Sequence, residues 1–116
     1  SKVQLPVVNI TNPVNNNETT EATTQIRAKI EHVNDKNKIR LALNGNVIGN
    51  FTFDRIRKEV IASVTLVEGN NTIRLEASND AGKAEDNVNI RYHRPQPPTV
   101  TILEPSNNLV TNNETI

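Results

Sequence analysis

The residues of this chain that could carry chemistry are few and widely spaced. Its two histidines, His32 and His93, each stand near a predicted strand end, with no second histidine or cysteine at ligand spacing. Each therefore reads as a solvated or edge side chain rather than a metal ligand. Asn79, Asp80, Glu85 and Asp86 crowd in and just after one predicted hairpin turn. Calcium takes oxygen ligands of this kind, and Asp80 and Asp86 are the carboxylates it would use. The spacing fits no EF-hand loop, and a solvated turn is the plainer reading. The chain has no cysteine, which excludes a disulfide framework, a Cys-based zinc site and a Cys nucleophile together. No Ser or Thr lies in a nucleophile elbow, and no Gly-rich phosphate loop is present. The expectation is a non-enzyme with no catalytic residue, no cofactor and no need for a metal.

The elements that would position these residues read as short strands. In Thr24–Val33, Ile26, Ala28 and Ile30 face one way while Arg27, Lys29 and Glu31 face the other. A period of two means one buried face and one wet face. Ile39, Leu41 and Leu43 continue the pattern after the turn Asn34-Asp35-Lys36-Asn37, and Asn44-Gly45 is a strong hairpin signal before Val47-Ile48. Val60, Ala62, Val64 and Leu66 alternate next, then Ile73, Leu75 and Ala77, then Val88, Ile90 and Tyr92. Val8 and Ile10, bracketed by Pro6 and Pro13, form a short edge strand, because proline is confined to strand ends and edges. Residues 14–23 read as a polar loop. Residues 49–59 hold Phe51 and Phe53 and then a charged run, and read as a connection or short edge strand, with a single helical turn as the alternative. The sum is an all-β, seven-stranded antiparallel sandwich. Its expected core includes Ile26, Ala28, Ile30, Ile39, Leu41, Leu43, Val64, Leu66, Ile73, Leu75, Ala77, Val88 and Ile90, with Val60 and Ala62 on the buried face of their strand.

The chain of 116 residues carries 13 basic and 13 acidic residues, a net charge of zero. The basic residues are scattered, so no nucleic-acid footprint forms. Arg27 and Lys29 fall on one sheet and Lys38 and Arg40 on the other, which reads as a solvated surface. No apolar run approaches the ~20 residues of a membrane span. One long-range repeat stands out. Residues 6–16 (PVVNITNPVNN) match residues 98–108 (PTVTILEPSNN) at a constant offset of 92. A period of that size is one small all-β domain and suggests a tandem array. The expected division is a complete domain over 1–95, a Pro-rich linker over 96–98, and the first strand and loop of a next unit over 99–116.

From Leu66 the chain reads LVEGNNTIRLEASNDAG, ending at Gly82. This resembles the pattern L-x-x-G-x-N-x-I-x-V-x-A-x-D-x-A-G of bacterial immunoglobulin-like (fibronectin III-like) tandem repeats of secreted and cell-surface proteins. The opening Pro6-x-Val8-x-Ile10-x-x-Pro13 is similar to the first strand of the same repeats. Leu75 replaces the usual Val, and Asn79-Asp80 shifts the usual acidic position by one. The two motifs cover about a third of the chain. The resemblance implies that Leu66 closes the core below a corner and that Gly69 takes positive φ there. Asn71 would stand where antibody-type domains carry a corner tyrosine, and would bond the loop backbone.

These features imply a non-catalytic spacer or stalk module, extracellular or at a cell surface, with neighbouring repeats of the same chain as partners. The alternative is an adhesion module that grips a carbohydrate or protein ligand with loops at one end of the sandwich. Sugar rings are usually met by exposed aromatics, and only Phe51 and Phe53 are near loops. A third expectation concerns the end of the chain. Its match to the first strand lets residues 99–103 exchange into another copy, and the alternative is a tail folded against its own domain or held by crystal packing.

Overall fold

Alternation of apolar and polar residues becomes strand throughout, and one further strand, Asn17–Thr19, forms where the sequence carries no such pattern. The computed structural model describes residues 3–95. In chain order the strands are β1 (Val7–Asn12), β2 (Asn17–Thr19), β3 (Thr23–Glu31), β4 (Ile39–Leu43), β5 (Asn46–Ile48), β6 (Thr52–Asp54), β7 (Glu59–Thr65), β8 (Gly69–Asn79) and β9 (Gly82–Tyr92). One 3-10 turn, Lys36–Lys38, precedes β4, capped by Asp35, whose side chain accepts the Asn37 N–H. The expected strand and loop over 99–116 and the linker 96–98 lie outside the described residues.

The strands form two sheets, ordered β1-β3-β7-β6 and β2-β9-β8-β4-β5. The core fills the space between them, with Ile26, Ile30, Leu41, Val60, Ile73, Leu75 and Ile90 almost fully buried. Val60 and Ala62 are buried as their strand's alternation expects, and Val33, Phe51, Ile10 and Tyr92 join the expected core residues. Leu43 is only partly buried. It is the last residue of β4 before the Asn44-Gly45 turn, where the sheet meets solvent.

Nine strands form among the described residues where seven are expected. The additions are β2, inside the expected polar loop, and β6, where residues 49–59 take the short-edge-strand alternative. The first of them has no apolar face. The β2 residues Asn17, Glu18 and Thr19 pair with Ile90, Arg91 and Tyr92 through backbone alone. Strand β6 pairs with β7 over three residues and keeps Phe53 half-buried. A second correction concerns direction: β2 and β9 are parallel, whereas every other pair is antiparallel. The chain crosses from one sheet to the other between β1 and β2. The register of β1 shifts between Ile10 and Asn12, and the Asn12–Pro13 peptide is cis. Of the outermost strands β1, β2, β5 and β6, all but β1 are three residues long, which leaves little exposed backbone for unwanted pairing at those edges.

Candidate functional site

The most organised polar centre is the corner between β7 and β8. Asn71 is a fully buried polar residue, at 0 % exposure. Alternation places it there: it has the same parity as Ile73, Leu75 and Ala77, so β8 must turn it inward. A buried amide without partners is costly, and this one is fully engaged. Its Nδ2 donates to the carbonyls of Val67 at 2.8 Å and Gly69 at 3.0 Å, and makes a longer contact with the Ile90 carbonyl at 3.4 Å. Its Oδ1 accepts the Val67 N–H at 3.0 Å and the Asn44 Nδ2 at 3.0 Å. Gly69 takes φ +96° within the loop that Asn71 closes. The expected backbone bonds at this corner are therefore present.

The link to Asn44 is one that sequence reasoning misses. The Asn44-Gly45 hairpin takes φ values of +52° and +85°. Asn44 then faces β8, where its Oδ1 accepts the Thr72 N–H at 2.8 Å and its N–H donates to the Thr72 carbonyl at 2.9 Å. One corner and one hairpin, remote in sequence, are joined through two asparagine side chains. No spacing rule pairs residues 27 apart, so only the β4–β8 register reveals the link.

The acidic residues near the β8–β9 turn do not converge. Glu85 points out and Asp86 points in, because they are successive residues of a strand. Asp86 reaches across to β1, where its Oδ2 accepts the Ile10 N–H at 2.8 Å, while its Oδ1 accepts the Asn87 N–H at 2.9 Å. Glu85 pairs with Arg74 on the outer face. Asn79 uses its Nδ2 on the carbonyls of Gln4 at 2.7 Å and His32 at 2.8 Å. Its Oδ1 accepts the N–H of Ala81 at 2.8 Å and of Gly82 at 3.2 Å. Among the described residues, no three His, Asp or Glu side chains gather as metal ligands. His93 meets Glu18 at 2.8 Å, and its backbone N–H donates to Thr19, so it holds the end of β2. His32 takes φ +67° after β3, and its carbonyl receives Asn79.

Surface charge is paired across strands. Hydrogen bonding to Arg74, then to Asn87, holds Glu85 below the ordinary carboxylate range, and the same pair raises Arg74. A hydrogen bond and charge from Lys58 lower Glu31, and the backbone N–H groups of Arg57 and Ile56 lower Asp54. Arg27 lies 3.2 Å from Glu59. The charged residues Arg27 and Arg40 stand on different sheets. Phe51 is core, with the Lys36 ammonium 4.6 Å from its ring centroid, so neither phenylalanine is an exposed stacking platform. An open groove of about 580 Å³ lies on the outer face of the five-stranded sheet, lined by Arg40, Ala42, Val47, Thr72, Arg74 and Asn87 among others.

No protein-family model matches the chain, and no curated protein matches it. Solved structures do. Fibronectin(III)-like modules of Clostridium thermocellum CbhA align over 80% of this chain and 50% of theirs, at 27% identity and a TM-score of 0.57. A candidate β-galactosidase from Bacteroides fragilis aligns over 78% of this chain at 17% identity and a TM-score of 0.64. The endo-β-1,4-mannanase of Thermotoga petrophila aligns over 81% at 13% identity and a TM-score of 0.63. The chain is similar in fold to a fibronectin III-like module. It spans 13% and 21% of the two glycosidase chains, and at those identities the likeness is one of fold alone.

Proposed function

We propose that this chain is a non-catalytic structural module, a spacer or stalk unit from a tandem array in a bacterial protein that is secreted or held at the cell surface. The observation that supports this best is where the polar side chains go. Asn44, Asn71, Asn79 and Asp86 are the residues most able to bind or react, and their polar atoms already hold backbone of other segments. A ligand would have to displace bonds that the fold uses. The likeness to fibronectin III-like modules, themselves from a bacterium, adds to the reading.

A second reading is a binding module for carbohydrate or protein. It is favoured by the fold likeness to parts of two chains described as glycosidases and by the open groove around Arg74. The test is direct. The chain is offered β-galactoside and β-mannan substrates and screened on a glycan array. The spacer reading expects no turnover and no saturable binding. Saturable binding that Arg74→Ala removes would replace it with the binding module. A chain of two units joined in tandem should also be extended in solution scattering, with the length of two domains end to end.

A further inference from the structure

Asn44-Gly45 is the one place in the chain where glycine follows asparagine. That pair has a reaction open to it that needs no enzyme. The backbone nitrogen of the glycine attacks the side-chain carbonyl carbon of the asparagine and a cyclic imide forms. The amide nitrogen leaves as ammonia, carrying the proton that the attacking nitrogen gives up. Water then opens the ring. Cleavage on the side-chain side leaves aspartate, and cleavage on the main-chain side leaves isoaspartate, whose main chain runs through the side-chain carbon. Glycine favours the attack because no Cβ crowds its nitrogen. Both residues are exposed, and a Cβ built on Gly45 would meet nothing within 4 Å, so water reaches the turn freely.

What the fold controls is the ring closure. The Asn44 amide has to swing onto the Gly45 nitrogen, yet both of its ends are bonded to β8. Its Oδ1 accepts the Thr72 N–H at 2.8 Å, and its Nδ2 donates to the Asn71 Oδ1 at 3.0 Å. Asn71 is itself held in one orientation. Its Nδ2 serves the carbonyls of Val67 and Gly69, and its Oδ1 also accepts the Val67 N–H. Turning that amide over would set like groups against all three, so the acceptor that grips Asn44 stays in place while the corner is closed. The products suit the site badly. Aspartate has no N–H, and its carboxylate would set an oxygen against the Asn71 Oδ1 where a donor now stands. Isoaspartate adds one carbon to the main chain of a two-residue turn, between the paired residues Leu43 and Asn46, where the register leaves no slack.

We propose that Asn44 is a site of spontaneous chemical modification that Asn71 keeps shut. Its amide is lost through an imide with Gly45, with water as the co-reactant, at a rate set by how often the corner between β7 and β8 opens. The acid that remains weakens the corner that held the amide. The change is one-way, because the ammonia departs. It also reaches the outer groove, since Gly45 and Val47 form part of its lining. The inference does not depend on the spacer reading.

The test measures that rate with the corner closed, loosened and absent. The full chain is held in mildly alkaline buffer, folded or in urea, and peptide mapping by mass spectrometry follows aspartate and isoaspartate at position 44. Urea gives the rate of the unrestrained pair. The folded chain should be slower by at least about tenfold, because closure has to wait for a local opening. Asn71→Ala should recover most of that gap. Asn79→Ala removes similar bonds at the other end of β8 and should recover none of it. Asn44→Asp, which carries one product from the start, should melt below the parent. If Asn71→Ala fails to fold, the folded-to-urea ratio and the melting of Asn44→Asp decide together. Equal rates in the folded chain and in urea would overturn the proposal. So would equal acceleration by Asn71→Ala and Asn79→Ala, which would assign the rate to global stability, or an Asn44→Asp chain that melts with the parent.

Discussion

Asn71 and Asn79 stand at opposite ends of β8 and do similar work in different surroundings. Each side chain closes its own turn and also holds a segment remote in sequence: Asn71 reaches Ile90 and Asn44, and Asn79 reaches Gln4 and His32. The bonding patterns are alike, but solvent access is not. Asn71 is at 0 % exposure, whereas the partners of Asn79 lie at the surface. The bonds of Asn79 are exposed, so water replaces a lost one readily, whereas those of Asn71 are part-buried to buried and water replaces them less well. The lesson is that the energetic weight of a polar residue here follows from what its partners would face without it, more than from the count of its bonds.

Breaking the buried end should have the largest effect. Asn71→Ala leaves the Val67 N–H and the Val67 carbonyl without their side-chain partner at a part-buried corner, takes a partner from Asn44, and empties a sealed position beside the Ile90 carbonyl. The expected loss is about 3 kcal/mol, a fall in melting temperature of roughly 15 °C for a domain of this size. Asn71→Asp should rescue little, because a carboxylate keeps no N–H donor and adds a buried charge. A melting curve within a few degrees of the parent would mean that water enters the corner and that the contrast with Asn79 is false.

At the exposed end, Gly82→Ala tests geometry rather than bonding. Gly82 takes φ +147°, and its new Cβ would come 2.9 Å from Leu5 Cδ2. The expected cost is about 2 kcal/mol from backbone strain and the contact. Leu5→Ala in the same chain should recover only the contact part, measured by denaturant unfolding. Full recovery would show that φ at this turn carries no strain. Asn79→Ala comes next at about 1 kcal/mol, since water takes over at Gln4 and His32. A loss as large as that of Asn71→Ala would remove the comparison.

The smallest effect is a pH dependence that the buried end does not share. Glu85, Glu31 and Asp54 are all held below their ordinary values in the fold. A depressed carboxylate stabilises the fold fully above its unfolded value of about 4, and the contribution is lost as pH falls through that range toward the folded value. Thermal melting should therefore weaken modestly on acidification below about pH 4.5. Arg74→Met and Lys58→Met should flatten the part due to Glu85 and Glu31, with the salt sensitivity of surface pairs. The penalty of Asn71→Ala should stay constant across the same range, because no titrating group bonds Asn71.

The alternation of Ile26, Ala28 and Ile30, of Ile39 and Leu41, and of Ile73, Leu75 and Ala77 was enough to assign an all-β fold and most of its core. Side-chain period is a local property, and burial of one face follows from it directly. The same parity turned Asn71 inward, so the buried corner was legible from its place in the pattern. The sequence also determined the repeat itself, since identity at a fixed offset needs no fold to be seen. Strand β2 was not legible, because Asn17, Glu18 and Thr19 bury nothing and pair only through backbone with a strand more than seventy residues away. Nor were the partners of Asn44 and Asp86, which lie 27 and 76 positions off in the chain. Tertiary structure alone decided those, because the register between distant strands chooses which backbone group each polar side chain meets. It also decided which positions of the first strand are sealed from solvent, by burying Ile10 and exposing Thr11.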